Sequence, residues 1–264
     1  MLFRTMKATA VICGLLAAAL SIYAEQATQP SAAPAGLKVA VFTDPDGGST
    51  ASNCVHATLG ILHSNSFDVT TITPGAIRAG GLTNFTVVMF PGGGGTTQAK
   101  SLQQSGCAQV ERFVARGGGF VGTCAGAFLA ARGYNKETTW LELVDARVVD
   151  VAHWDRGTGE ARIHILNPKH PILAGFPENL TVHYVNGPLL APGTVTNPPP
   201  YETEAVFASD VHDHAPAGIM PGTTCMTTST YRAGRCVLFS FHPELTPGVE
   251  LMDVRAVLWA AGKL

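Results

Sequence analysis

The sequence predicts an α/β protein: a mostly parallel sheet with helices on both faces and a strand-rich second half. Three observations predict it. Short apolar runs alternate with helix-spaced segments through the first half. Two of those runs stop abruptly at turn-forming clusters, Asp44-Pro45-Asp46-Gly47-Gly48 and Pro91-Gly92-Gly93-Gly94-Gly95. From residue 146 onward, strand patterns follow one another until a closing helix.

The first 24 residues stand apart. Arg4 and Lys7 give a short basic start, Ala8 to Leu20 is almost wholly apolar, and Ile22-Tyr23-Ala24 offers a small residue ahead of Glu25. This is the three-part pattern of a secretory signal peptide, and the apolar stretch is short for a membrane span of about 20 residues. The expectation is a secreted or periplasmic protein with residues 1–24 removed; an uncleaved anchor is the alternative. Residues 25–36, EQATQPSAAPAG, read as a flexible linker. Residues 37–264 read as one domain, with no internal repeat.

Without the leader, 15 basic residues stand against 19 acidic ones. That balance gives no electrostatic footprint for nucleic acid, and no stable membrane span is expected after cleavage. The hydrophobic content of 46% suffices for a sizeable core. Five cysteines remain: Cys54, Cys107, Cys124, Cys225 and Cys236. In an oxidising compartment an odd count suggests two disulfides and one working thiol. Cys54–Cys107 and Cys225–Cys236 are the preferred pairs; buried thiols are the alternative.

Leu37–Thr43 is an apolar run ending in the Asp44 turn cluster, hence a strand. Asn53–Leu62 places Val55, Leu59 and Leu62 at helical spacing. Phe67–Thr73 is β-rich. Phe85–Phe90 is continuously apolar, as a strand buried on both faces should be. Thr96–Arg116 is amphipathic and ends at Gly117-Gly118-Gly119. Phe120–Thr123 and Ala125–Arg132 read as a short strand and a short helix. Ala146–Val151, Arg162–Leu166, Cys225–Tyr231 and Cys236–His242 read as strands, the last two joined by a hairpin turn. Pro247–Gly262 reads as the final helix, with proline at its start.

Three motifs carry chemistry. In Gly122-Thr123-Cys124-Ala125-Gly126 a strand runs into a helix across one cysteine. So sharp a turn strains the central residue, and small neighbours two positions away relieve the crowding. It presents the sulfur at the carboxyl end of the sheet, where open α/β folds bind ligands. The second motif is Phe239-Ser240-Phe241-His242-Pro243-Glu244. In an extended segment His242 and Glu244 share a side, so the imidazole can activate the thiol and the carboxylate can fix its tautomer. The third is Pro91 to Gly95, where backbone N–H groups can approach a ligand closely. Gly93 or Gly94, together with Ala125, could form an oxyanion hole. No Gly-Lys-Ser/Thr follows, which excludes a phosphate loop.

A strand ending in PGGGG, an elbow GTCAG and a late FHPE, in that order, resemble the class I glutamine amidotransferase-like superfamily. The segment GGGFVGTCAGAFLA looks most like the biotin-protein ligase N-terminal domain family. The resemblance covers about 37–264. It implies a flavodoxin-like sheet with a Cys124–His242–Glu244 triad. One departure matters: glutamine-hydrolysing members usually carry a glutamine four residues after the nucleophile, where this chain has Phe128. Biotin ligation is not implied, since that activity belongs to a different domain.

The expected function is therefore hydrolysis or amidotransferase-like chemistry on an amide or related acyl bond of a small-molecule or peptide-like substrate. No cofactor and no metal are expected. A catalytically silent binding protein on the same fold is the first alternative, and a redox thiol protein the second. His212-Asp213-His214 lacks a third ligand for a metal site. Trp154–Gly159 and Tyr184–Pro188 could wall the pocket over Cys124 or be plain surface turns.

Overall fold

The computed structural model describes residues 34–132, 141–195 and 198–264. The described residues fall within one compact unit, Ser31–Leu264. The predicted signal segment, residues 1–24, lies outside them, as does most of the predicted linker.

The sheet is mixed. Its parallel half runs β2 (Asp68–Ile72), β1 (Lys38–Phe42), β3 (Val87–Phe90), β4 (Gly119–Thr123) and β11 (Gly234–Phe239). Beyond β11 the sheet continues antiparallel through β10 (Thr224–Tyr231), β9 (Glu202–Phe207), β6 (Thr158–Ile165) and β7 (Asn179–Val185). A further pair, β5 (Ala146–Val149) with β8 (Leu189–Pro192), joins at β10. This antiparallel half is the strand-rich second half of the sequence.

Alternation along the parallel strands divides the apolar residues into two cores. Val39, Val41, Val87, Met89, Val121, Val237 and Phe239 face one side. They meet α1 (Ser52–Ser64) and α5 (Leu251–Ala260) through Val55, Leu62, Met252 and Val257. Ala40, Phe42, Val88, Phe90, Phe120 and Leu238 face the other side. They meet α2 (Pro74–Arg78), α3 (Gly95–Ala115) and α4 (Ala125–Ala130) through Ile77, Leu102, Val110, Phe113 and Leu129. Phe42, Phe90 and Phe120 stack in sequence, with centroids 4.6 and 5.4 Å apart.

Several boundaries differ from the sequence reading, each for a local reason. The helix expected over Thr96–Arg116 is α3, but Gln103 has φ 59 and breaks it. Just ahead of the break, the Ser101 carbonyl accepts a hydrogen bond from the Arg78 guanidinium. The last helix starts at Leu251 rather than Pro247, because Gly248 sits at φ 87. The final strand ends at Phe239 rather than His242, and Pro243–Leu245 forms a 3-10 turn. No helix among the described residues is long and apolar enough to cross a membrane.

Candidate active site

Strands β1, β3, β4 and β11 all end at one edge of the sheet, and the candidate residues sit just past those ends. Between β4 and α4, Cys124 holds φ 50 and ψ −99, a region that side chains rarely enter. The surroundings enforce it. Its N–H donates to the Phe239 carbonyl at 2.8 Å, and its carbonyl accepts from Phe128 N–H at 3.0 Å. The small neighbours are required: a Cβ on Gly122 would lie 2.6 Å from the Gly126 carbonyl oxygen, and one on Gly126 would lie 2.1 Å from that of Phe90. The Cys124 thiol donates to the Val185 carbonyl at 3.3 Å.

The imidazole comes from the segment after β11. His242 N–H donates to the His183 carbonyl at 2.9 Å. The Thr246 hydroxyl donates to the His242 carbonyl at 2.6 Å and accepts from His183 N–H at 2.9 Å. His242 and Glu244 meet across the 3-10 turn rather than along an extended strand, and Nδ1 lies 2.8 Å from Glu244 Oε1. A carboxylate can only accept here, so Nδ1 donates to Glu244, and Nε2 is the nitrogen left to exchange a proton with a partner. Nε2 is buried and makes no hydrogen bond of good geometry. The Cys124 sulfur is nonetheless close enough to act on the ring electrostatically. Burial pushes the His242 pKa down, but the charge and hydrogen bonding of Cys124, then Cys54 and Glu244, outweigh it and hold it well above the ordinary histidine value. Behind Glu244, burial first and the charge of Glu244 second push Asp253 well up.

The glycine loop after β3 bridges antiparallel to residues 49–51. Ala51 N–H donates to the Gly92 carbonyl at 2.9 Å, and Gly94 N–H donates to the Ser49 carbonyl at 3.1 Å. The Gly94 N–H is therefore already committed, which removes Gly94 as an oxyanion donor. In such a pair Gly93 turns its own N–H away from Thr50. Gly93 has φ 147, and a Cβ there would lie 2.3 Å from the Ser49 carbonyl oxygen, so only glycine fits. Ala125 N–H opens α4 and has no acceptor within the helix.

Asp44 fixes the facing segment. Its carboxylate accepts from the Ser49 hydroxyl at 2.7 Å, from Gly47 N–H at 3.1 Å and from the Ser101 hydroxyl. Burial raises its pKa, but these hydrogen bonds prevail and leave it below the usual value. A carboxylate depressed on folding stabilises the protein above its unfolded pKa of about 3.9 and loses that contribution as pH falls through the folded value. The stability advantage of wild type over Asp44→Asn is therefore expected to be full at neutral pH and to shrink below about pH 4, as urea midpoints across a pH series would show.

Cys124, His242, Gly93 and Phe128 line one pocket of about 460 Å³. Other lining residues escaped the sequence reading, among them Cys54, His183 and Leu245. Cys54, in the first turn of α1, places its sulfur 3.7 Å from His242 Nδ1. Trp154, Val185 and Asn186 also line the pocket, so both weighed turns contribute wall. Asn186 ties them together by accepting from Gly157 N–H at 2.7 Å. Arg156, buried beneath, donates to Asp150 at 2.9 Å.

Neither expected disulfide, Cys54–Cys107 or Cys225–Cys236, forms among the described residues. Cys54 faces His242, whereas Cys107 packs in the opposite core. Cys236 pairs across the ladder with Ser229, not with Cys225. In the His212-Asp213-His214 loop, His214 Nδ1 lies 3.1 Å from the Asp155 carbonyl and Asp213 accepts from Thr158 N–H at 3.3 Å. Those side chains brace the Trp154 turn instead of converging on one point.

The mixed α/β fold is shared with solved structures that include a glutamine amidotransferase and a GMP synthase subunit protein. Residues 37–153 match the family described as biotin-protein ligase, N terminal. A GMP synthase subunit protein of Thermoplasma acidophilum superposes with TM-score 0.56 at 13% identity, over 86% of this chain and 94% of that one. A ThuA-like protein of Parabacteroides merdae gives TM-score 0.59 at 15% identity, over 86% and 91% of the two chains. A glutamine amidotransferase of Thermotoga maritima gives 0.50 at 15%, over 84% and 82%. No curated protein matches the chain in sequence.

Proposed function

We propose that this chain is an exported hydrolase or amidotransferase-like enzyme that cleaves an amide or related acyl bond through Cys124. One observation carries the reading. A buried imidazole is held by Glu244 through Nδ1, keeps Nε2 unbonded, and shares a pocket with a cysteine on a strained turn. A histidine with a purely structural role would have both nitrogens satisfied.

In the proposed reaction the Cys124 proton passes to His242 Nε2 as the thiol turns from the Val185 carbonyl. The sulfur attacks the substrate carbonyl, forming a C–S bond. The developing oxyanion is held by the N–H groups of Gly93 and Ala125. His242 returns the proton to the leaving group as the C–N or C–O bond breaks. Water, deprotonated by the same imidazole, then cleaves the thioester and frees the acid.

Phe128 makes one wall of the pocket apolar. This favours an acyl group with an apolar flank over glutamine. Export rests on the Arg4 to Ala24 pattern, and N-terminal sequencing of the protein recovered from outside the cytosol should start near Glu25.

The test is a screen of the protein against amide, γ-glutamyl and ester panels. Trapping of the acyl-enzyme is read by intact mass. Glu244→Gln should leave the fold and the adduct site unchanged but lower turnover by roughly 10²–10⁴-fold. Unaltered turnover in that variant would remove Glu244 from the mechanism. A wild-type protein that binds panel members and never acylates would point to a silent binding protein.

A further inference from the structure

We infer that Cys54, His242 and Glu244 form a site for a divalent zinc-like cation, and that occupancy switches off the imidazole. The inhibitory half rests on the reading of His242 as general base; the binding half does not.

Cys54 Sγ lies 3.7 Å from His242 Nδ1, and that nitrogen lies 2.8 Å from Glu244 Oε1. The three donor atoms all fall within 4.8 Å of one another. Tetrahedral zinc binds sulfur at about 2.3 Å, and imidazole nitrogen and carboxylate oxygen at about 2.0–2.2 Å. Those bond lengths put the ligand atoms about 3.3–3.6 Å apart. The sulfur and nitrogen already stand at nearly that separation, while the carboxylate oxygen would retreat from Nδ1 by about half an ångström and swing toward Cys54 Sγ. One thiolate, one imidazole and one carboxylate is a donor set that zinc accepts.

The arrangement is held from behind. A Cβ on Gly92 would lie 2.6 Å from His242 Cε1 and 2.9 Å from Cys54 Sγ, so this glycine is what lets sulfur and ring approach. Cys54 and His242 both line the pocket, which supplies an entry path and room for a water as fourth ligand.

Binding would release the Cys54 proton as the S–metal bond forms. With the lone pair of Nδ1 given to the metal, the ring keeps one proton, on Nε2, and any proton on Nδ1 leaves to solvent. In that tautomer Nε2 can no longer accept the Cys124 proton. The metal would therefore block the base without touching the nucleophile. Because a proton leaves with each ion bound, affinity should rise with pH.

The test uses the full mature chain with Zn2+ in competition with a chromophoric chelator, and Co2+ as a spectroscopic probe of sulfur ligation. Wild type and Cys124→Ala should each bind one ion and show a thiolate-to-cobalt charge-transfer band. Cys54→Ser should lose the band and bind Zn2+ more weakly by about 100-fold or more. Circular dichroism confirms that the variant is folded, and Cys54→Ala serves as a second replacement. A band that survives in Cys54→Ser and vanishes in Cys124→Ala would overturn the inference, as would absence of stoichiometric binding in wild type. Once a substrate is found, Zn2+ should inhibit wild type reversibly and spare Cys54→Ser, each relative to its own uninhibited rate. A Cys54-dependent cobalt band in a protein with no turnover would sink the hydrolase reading and leave the metal site standing.

Discussion

Replacing Cys124 with alanine is expected to abolish covalent acylation and to lower turnover by roughly 10⁴-fold or more, since the nucleophile has no substitute in the proposed reaction. Cys54 is no replacement, because its sulfur lies on the Nδ1 side of the ring, facing the carboxylate. The same variant has a second readout. His242 is held above the ordinary histidine value against burial chiefly by the Cys124 sulfur. A group whose pKa rises on folding lends stability that is complete below the unfolded value, about 6.5, and disappears as pH climbs through the folded value. In Cys124→Ala the NMR titration midpoint of His242 should therefore fall, and its contribution to stability should vanish at a lower pH. Identical titration in the two proteins would mean that sulfur and imidazole are not partners.

The largest structural effect is expected at Gly126, the second residue of α4. Its added Cβ would meet the Phe90 carbonyl oxygen at 2.1 Å and the Phe90 Cβ at 2.7 Å. Phe90 lies in a central strand, fully buried and paired with β4, so neither side can yield. Gly126→Ala should cost about 4 kcal/mol or more, a large share of the roughly 5–15 kcal/mol that typically holds a domain folded, and so lower the urea midpoint sharply. Gly60→Ala is the control. It sits in α1 with open space around the new methyl group, and should be neutral or stabilising by up to about 1 kcal/mol. Soluble, wild-type-like yield of Gly126→Ala in a urea melt would show that the elbow is looser than its contacts imply.

The parallel half of the sheet was legible because its strands are buried on both faces and read as unbroken apolar runs ending in turn residues. The elbow and the FHPE segment were legible because strain and chemistry confine them to a few residue types. Much of the antiparallel half was not. In β9 the inward position holds Glu204, a buried carboxylate accepting from the Thr228 hydroxyl at 2.6 Å, and it interrupts the apolar alternation. In β7 only Val182 and Tyr184 are buried, too few to separate the strand from the turn that follows. Cys54 was hidden for another reason. It lies 188 residues from His242, and its neighbours Ser52, Asn53 and His56 read as a solvated helix start. No local pattern announces a contact made only by tertiary packing.

Strand β11 is shared by both halves, and its register sets Phe239 beside Thr123, the residue just before the sulfur. Neighbouring strands in a sheet lie about 4.8 Å apart. The strand ends that lead to thiol and imidazole are thus set by a rigid ladder, whereas part of the wall around them comes from the turns at Trp154 and Asn186. In the proposed enzyme, reactivity and much of the selectivity would belong to separate pieces of chain. The turns can be lengthened, shortened or regrafted to admit new molecules while the reacting atoms keep their places.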